Sequence, residues 1–210
     1  MTTSKTIYMF RHGETDWNRE GRMQGSTDIP LNETGRQQAR QLREFFNANP
    51  VDVFWSSDLL RARETAEIIA AESGTEILLD ARLRETNLGA AEGLTNHEFT
   101  TLYGEEILER WRNVDLVDHH VRFPKGESKF EHRVRFQQGL EDLLHSAAAA
   151  EWRRIGVATH GGSMRRLIHH LRPELTEAVM VGNCGTYKIE YHVTTRKWVI
   201  DLVPIFTAGC

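Results

Sequence analysis

The 210 residues contain two cysteines, Cys184 and Cys210. Neither belongs to a CxxC or any other metal or redox spacing, so a reducing cytoplasm is the simplest home for the chain. No HExxH is present, which leaves no ready zinc signature. No run approaches the roughly 18 apolar residues that a membrane helix needs. The N-terminal MTTSKTIYMF also lacks the apolar core of a signal peptide. Positive charge is not in excess either. The net charge is −4, so nothing suggests nucleic acid as a partner, and no acidic tail stands out. There is no internal repeat and no convincing linker. With 40% hydrophobic and 27% charged residues, the expectation is one globular domain spanning 1–210 with a sizeable core.

What the sequence does have is histidine. There are ten, including the adjacent pairs His119-His120 and His169-His170. Two of the others stand in matching places. The apolar run Ile7-Tyr8-Met9-Phe10 stops at Arg11-His12-Gly13-Glu14, and Ile155 to Thr159 runs into His160-Gly161-Gly162. Both runs read as strands: Lys5 to Phe10 and Arg154 to Thr159. Further strands are expected at Val51–Trp55, Glu76–Leu79, Thr186–Val193 and Lys197–Pro204. Helices are expected from Thr34, from Asp58 with the apolar stripe Leu59, Ala62, Ala66 and Ile69, from the capping box Ser128-x-x-Glu131 to about Ala150, and over Gly162–Leu171. Residues 82–126 are irregular, with short helices near 95–103 and 104–112. Strands that alternate with helices give an α/β class with a mostly parallel sheet.

In open α/β sheets, ligands bind beyond the carboxyl ends of strands, so His12 and His160 can face one pocket. Arg61 falls in the first turn of its helix, where a cation opposes the helix dipole. Arg11 adjoins His12. A bound anion, above all phosphate, would offset the cost of clustering these cations. Glu85, after the short third strand, can act as a general acid if partial burial raises its pKa. Gly13 is read as permitting close approach of backbone and anion.

Together these segments resemble the histidine phosphatase superfamily, the phosphoglycerate mutase-like proteins. The resemblance covers most of the chain. It rests on Arg11-His12-Gly13-Glu14-Thr15 with Trp17-Asn18, and on Pro30-Leu31-Asn32-Glu33-Thr34-Gly35. Ser57-Asp58-Leu59-Leu60-Arg61-Ala62, Leu83-Arg84-Glu85, Gly126-Glu127-Ser128 and Thr159-His160-Gly161-Gly162 complete it. The fold it implies is a three-layer sandwich with a mostly parallel central sheet flanked by helices.

The resemblance also implies roles. His12 would attack phosphorus and become a phosphohistidine. Arg11, Arg61 and His160 would surround the phosphoryl oxygens, with hydrogen bonds from Asn18 and the Gly161 backbone. Glu85 would protonate the leaving oxygen and then activate water. Arg22 and the 23–29 loop, with Gly25 and Ser26, would lie near the leaving group. No cofactor or metal is required, which leaves the histidine pairs as surface or packing residues.

Mutases of the family carry a tyrosine shortly after the acid, within E-R-x-Y-G. Here Glu85-Thr86-Asn87-Leu88-Gly89 puts Leu88 in that place, and Trp111-Arg112-Asn113 departs from a mutase WRR stretch. The expectation is therefore a phosphatase of the histidine type acting on a small phosphorylated metabolite. The alternatives are a cofactor-dependent phosphoglycerate mutase, a phosphate-binding module without catalysis, and a metal-dependent hydrolase built on the histidine pairs. Selectivity is expected to come from the 15–29 loop and the 86–126 segment. An edge strand within 186–203 offers a route to a homodimer.

Overall fold

The computed structural model describes residues 4–113 and 119–208; Cys210 lies outside them. The elements run β1 (Ser4–Arg11), α1 (Asp16–Arg19), α2 (Glu33–Ala48), β2 (Val53–Ser56), α3 (Leu60–Ala70) and β3 (Ile77–Leu79). They continue with α4 (Asn96–Tyr103), α5 (Glu106–Arg112), α6 (Lys129–His145), β4 (Arg154–Thr159), α7 (Gly161–Leu171), β5 (Thr186–His192) and β6 (Lys197–Ile200). Among the described residues six strands form one sheet in the order β3-β2-β4-β1-β5-β6. The first four are mutually parallel, and β5 and β6 add an antiparallel hairpin beside β1.

Alternation along β1 builds the layers, because successive side chains of a strand face opposite sides. Ile7 and Met9 enter one core with Phe136 and Leu140 of α6 and Met164, Leu167 and Ile168 of α7. Tyr8 and Phe10 enter the other with Leu42 and Phe46 of α2 and Ala66 and Ile69 of α3. The sheet is thus covered by helices on both faces, as the parallel pattern requires. A third, smaller cluster of Leu88, Ala91, Phe99, Leu108 and Phe123 gives the 86–126 segment a core of its own. No helix of the described residues is long and apolar enough to cross a membrane.

Two expected caps are replaced. Helix α2 is capped by Asn32, whose side chain accepts from the Gly35 N–H, rather than opened by Thr34. Asp58 does not cap α3. Its carboxylate holds the Arg84 guanidinium through two 2.6 Å hydrogen bonds, and the Leu60 N–H donates instead to Asp28 of the long loop. The α6 capping box forms as read, but the helix ends at His145 and a short 3-10 turn follows.

Gly13 has a packing role. A Cβ there would lie 2.4 Å from the Gly35 carbonyl oxygen, so the glycine lets this backbone touch the start of α2.

Candidate active site

The parallel pairing of β1 with β4 brings the two histidines together. Arg11 is in register with Thr159, and the His12 N–H donates to the Thr159 carbonyl at 3.0 Å. The next residues of both strands therefore leave the sheet side by side, and the rings of His12 and His160 stand 5.3 Å apart.

His12 is nearly buried, and its Nδ1 lies 2.6 Å from the Gly13 carbonyl oxygen. A carbonyl only accepts, so Nδ1 carries the proton and Nε2 keeps its lone pair. Burial, followed by the charges of Arg61 and Arg11, holds the His12 pKa well below the usual imidazole value. The ring is neutral at neutral pH, with Nε2 unprotonated. Its support comes from Thr65, whose hydroxyl accepts the Gly13 N–H, and from Asn183, whose amide donates to the His12 carbonyl.

Two cations flank it, Arg61 buried and Arg11 half-buried. Arg61, in the first turn of α3, donates to the carbonyls of Gly25 and Thr27 at 2.7 and 2.8 Å. Arg11 donates to the Val181 carbonyl at 2.9 Å. The Nε of each is buried without a partner, and burial lowers both pKa values to about 10. Buried guanidinium nitrogens of this kind suit recognition of an oxyanion. His160 is fully buried beneath this layer, with Nε2 on the Ser57 hydroxyl and Nδ1 unpartnered.

Glu85 sits opposite, among donors. Its carboxylate accepts from the Gly162 N–H at 2.8 Å and the Thr86 N–H at 3.0 Å, with the Ser163 hydroxyl at 3.3 Å. Arg166 and His132 stand 3.9 and 4.0 Å away. Burial pushes the Glu85 pKa up, but His132, Arg166 and the Thr86 N–H outweigh it and bring the value to about 2. This corrects the expectation of a raised pKa. Glu85 is ionised and is the counter-charge of the arginines.

These groups line a cavity of about 180 Å³ walled by Arg11, Arg22, Arg61, Arg165 and Arg166, with Glu85 as its one carboxylate among the described residues. His12, Asn18, Gly25 and Gly161 also line it. Asn18 accepts from the Thr15 N–H through Oδ1, which leaves its amide nitrogen to donate. Arg22 reaches the rim but is held by Glu20 and Glu98. Ser26 and His160 do not line the cavity. The Ser26 N–H is taken by Glu92, and His160 is covered by its neighbours.

A neutral imidazole nitrogen, a cluster of guanidiniums and a carboxylate around one small space can transfer a phosphoryl group. A sequence model of the histidine phosphatase superfamily (branch 1) matches residues 7–203. The chain belongs to the histidine phosphatase superfamily. Members of this superfamily are phosphatases or mutases, and both kinds of name occur among its relatives here. A protein of Enterobacter sp. (strain 638) named "Probable phosphoglycerate mutase GpmB" is 36% identical over 204 residues, covering 93% of this chain and 91% of its own. A mycobacterial glucosyl-3-phosphoglycerate phosphatase, solved with VO3, aligns with a TM-score of 0.81 at 29% identity, covering 94% of this chain and 97% of the other. Bacillus stearothermophilus YhfR gives a TM-score of 0.81 at 28% identity, with 93% and 95% covered.

The superfamily site also contains residues that the sequence did not single out. Arg165 and Arg166 come from the second turn of α7, one turn beyond Gly161-Gly162, so helical periodicity could have placed them. Gln24 and Thr86 add polar lining. His132 reaches Glu85 from the first turn of α6, and nothing local in the sequence marks it.

Proposed function

We propose that this protein is a phosphomonoesterase that works through a phosphohistidine at His12, in a single domain, on a small phosphorylated metabolite. The observation that carries the reading is the His12 Nδ1 bond to its neighbour's carbonyl, which aims an unprotonated Nε2 into an arginine-lined space.

The ester arrives with its phosphoryl oxygens toward Arg11, Arg61 and the Asn18 amide, and with the Gly161 N–H at the start of α7. His12 Nε2 forms the N–P bond as the P–O bond to the leaving group breaks. Charge that builds on the phosphoryl oxygens meets guanidiniums already in place, which lowers the barrier without reorganisation. Glu85 delivers a proton to the departing oxygen.

Its proton comes with the substrate. An ester bound as its monoanion can pass its proton to Glu85, because the arriving negative charge raises a carboxyl pKa in the same cavity. Water then attacks the phosphohistidine, Glu85 takes the water's proton, and His12 is restored with its lone pair.

A phosphoglycerate mutase is the second reading, favoured by the names of relatives such as the Enterobacter protein. Against it, Leu88 lines the cavity where mutases carry a tyrosine, and Thr86 and Asn113 replace arginines of the mutase pattern. Purified protein is expected to release phosphate from monoesters, including a generic aryl phosphate. Efficient interconversion of 3- and 2-phosphoglycerate with a bisphosphoglycerate primer, and little phosphate release, overturns the hydrolase reading.

A further inference from the structure

A second cavity of about 410 Å³ adjoins the phosphate-sized one, and Trp111, Gly162, Arg165 and Arg166 belong to the walls of both. It is far larger than a phosphoryl group needs and falls in the range of ordinary ligand pockets. Helices α6 and α7 supply one side. The stretch Ala178-Val179-Met180 supplies an apolar side, with Met180 84% exposed.

The polar lining among the described residues has one sign. Among the described residues no aspartate or glutamate lines this groove, while Arg133 and Arg165 do. Arg165 makes no hydrogen bond or ion pair among the described residues and stands where the two cavities meet. Arg133 lies over the Phe130 ring at 5.3 Å, and its Nε is buried without a partner. His169 is nine-tenths buried with both ring nitrogens outside hydrogen-bond geometry, and burial lowers its pKa against the opposing pull of the Leu175 backbone. His119 and His170 complete the lining and give these members of the two histidine pairs a common location. Unpaired guanidiniums in a partly enclosed groove are the arrangement that recognises carboxylate or phosphate.

We propose that this groove binds the leaving group of the substrate and selects phosphomonoesters whose leaving group carries a second anionic group, a carboxylate or another phosphate. The inference rests on the phosphomonoesterase reading and narrows its substrate class. The ester phosphate sits at His12, the body of the leaving group packs on Ala178 to Met180, and the second anion reaches Arg165 and Arg133. Selectivity therefore comes from α6, α7 and residues 178–180 as well as from the two irregular segments.

Two matched pairs test it. 6-Phosphogluconate against glucitol 6-phosphate differs by a remote carboxylate in place of a hydroxymethyl group, and adenosine 3′,5′-bisphosphate against adenosine 5′-monophosphate by a remote phosphate. The expected result is a preference of about tenfold or more in kcat/KM for the doubly anionic member of at least one pair. The pair that shows it names the anion. Arg133→Ala should shrink that preference about tenfold, and Arg133→Lys should keep most of it. Ala178→Trp, which narrows the groove without touching a charge, should slow the preferred ester about tenfold.

Equal use of both members of both pairs overturns the proposal, as does a preference that Arg133→Ala does not move. If even p-nitrophenyl phosphate is not hydrolysed, the phosphomonoesterase reading has failed, and the inference falls with it.

Discussion

Gly162→Ala separates the leaving-group step from the rest of the reaction. A Cβ on Gly162 would stand 2.6 and 2.8 Å from the two carboxylate oxygens of Glu85. The Gly162 backbone is fixed within α7 and its N–H holds Glu85 at 2.8 Å. The cheapest response is for the carboxylate to swing away by roughly 0.5–1 Å, and displacement on this scale can cost about a hundredfold in rate.

Loss of general acid catalysis costs about 10²–10⁴-fold, so an alkyl phosphate, with its strongly basic leaving oxygen, should lose about 10²–10³-fold in kcat/KM. That is about 3–4 kcal/mol of transition-state stabilisation. An aryl phosphate needs little help from an acid and should lose less than about tenfold. The fold should tolerate the change. Alanine in a helix gains about 0.5–1 kcal/mol over glycine, against about 1–3 kcal/mol for a disturbed buried hydrogen bond. A thermal melt should therefore fall by only a few degrees. The assay is kcat/KM on one alkyl and one aryl ester beside that melt. Alkyl hydrolysis within about threefold of wild type, in a folded protein, refutes Glu85 as the leaving-group acid.

Other consequences follow from the same charges. The folded Glu85 pKa lies below its ordinary 4.5 at about 2, so the ionised group contributes about 3 kcal/mol of stability. That stability is fully present above about pH 4.5 and is lost as pH falls through 4.5 toward 2. Denaturant titrations should show Glu85→Gln with a flatter stability curve than wild type between about pH 5 and 2, and parallel curves contradict the assignment. Vanadate, which can adopt the geometry of the phosphoryl transition state, should stabilise the wild type by about 2.7 kcal/mol at a hundred times its Kd. Arg61→Ala removes a buried guanidinium from that anion and should weaken vanadate binding about 10–100-fold by calorimetry, whereas an unchanged Kd removes Arg61 from the phosphate site.

Much of this was legible because strands announce their ends. IYMF and IGVAT gave β1 and β4, and the Arg-His-Gly and His-Gly-Gly that follow them gave the two histidines their shared edge. Arg61 was visible because a cation in the first turn of α3 needed an explanation. Tertiary partners decided what could not be read. Asp58 has the spacing of a cap but pairs with Arg84, and the α3 amide that it would have served is met by Asp28, 32 residues away.

The protonation of Glu85 was hidden for the same reason. Burial was foreseeable, while His132 and Arg166 arrive from α6 and α7 and reverse its effect. Ser26 lies outside the cavity lining with its amide held by Glu92, a long-range partner that no local motif specifies. The groove along α6 and α7 was invisible because its cations are spread over two helices whose apposition no local pattern encodes.

The most direct test of the account is the identity of the phosphorylated residue. Wild type quenched during turnover of an aryl phosphate should carry an acid-labile, base-stable phosphate, and peptide mapping should place it on His12. His12→Ala should retain the melting behaviour of a folded protein, carry no label and lose about 10⁴-fold or more in rate. A label on any other residue, or near-normal turnover by His12→Ala, contradicts it.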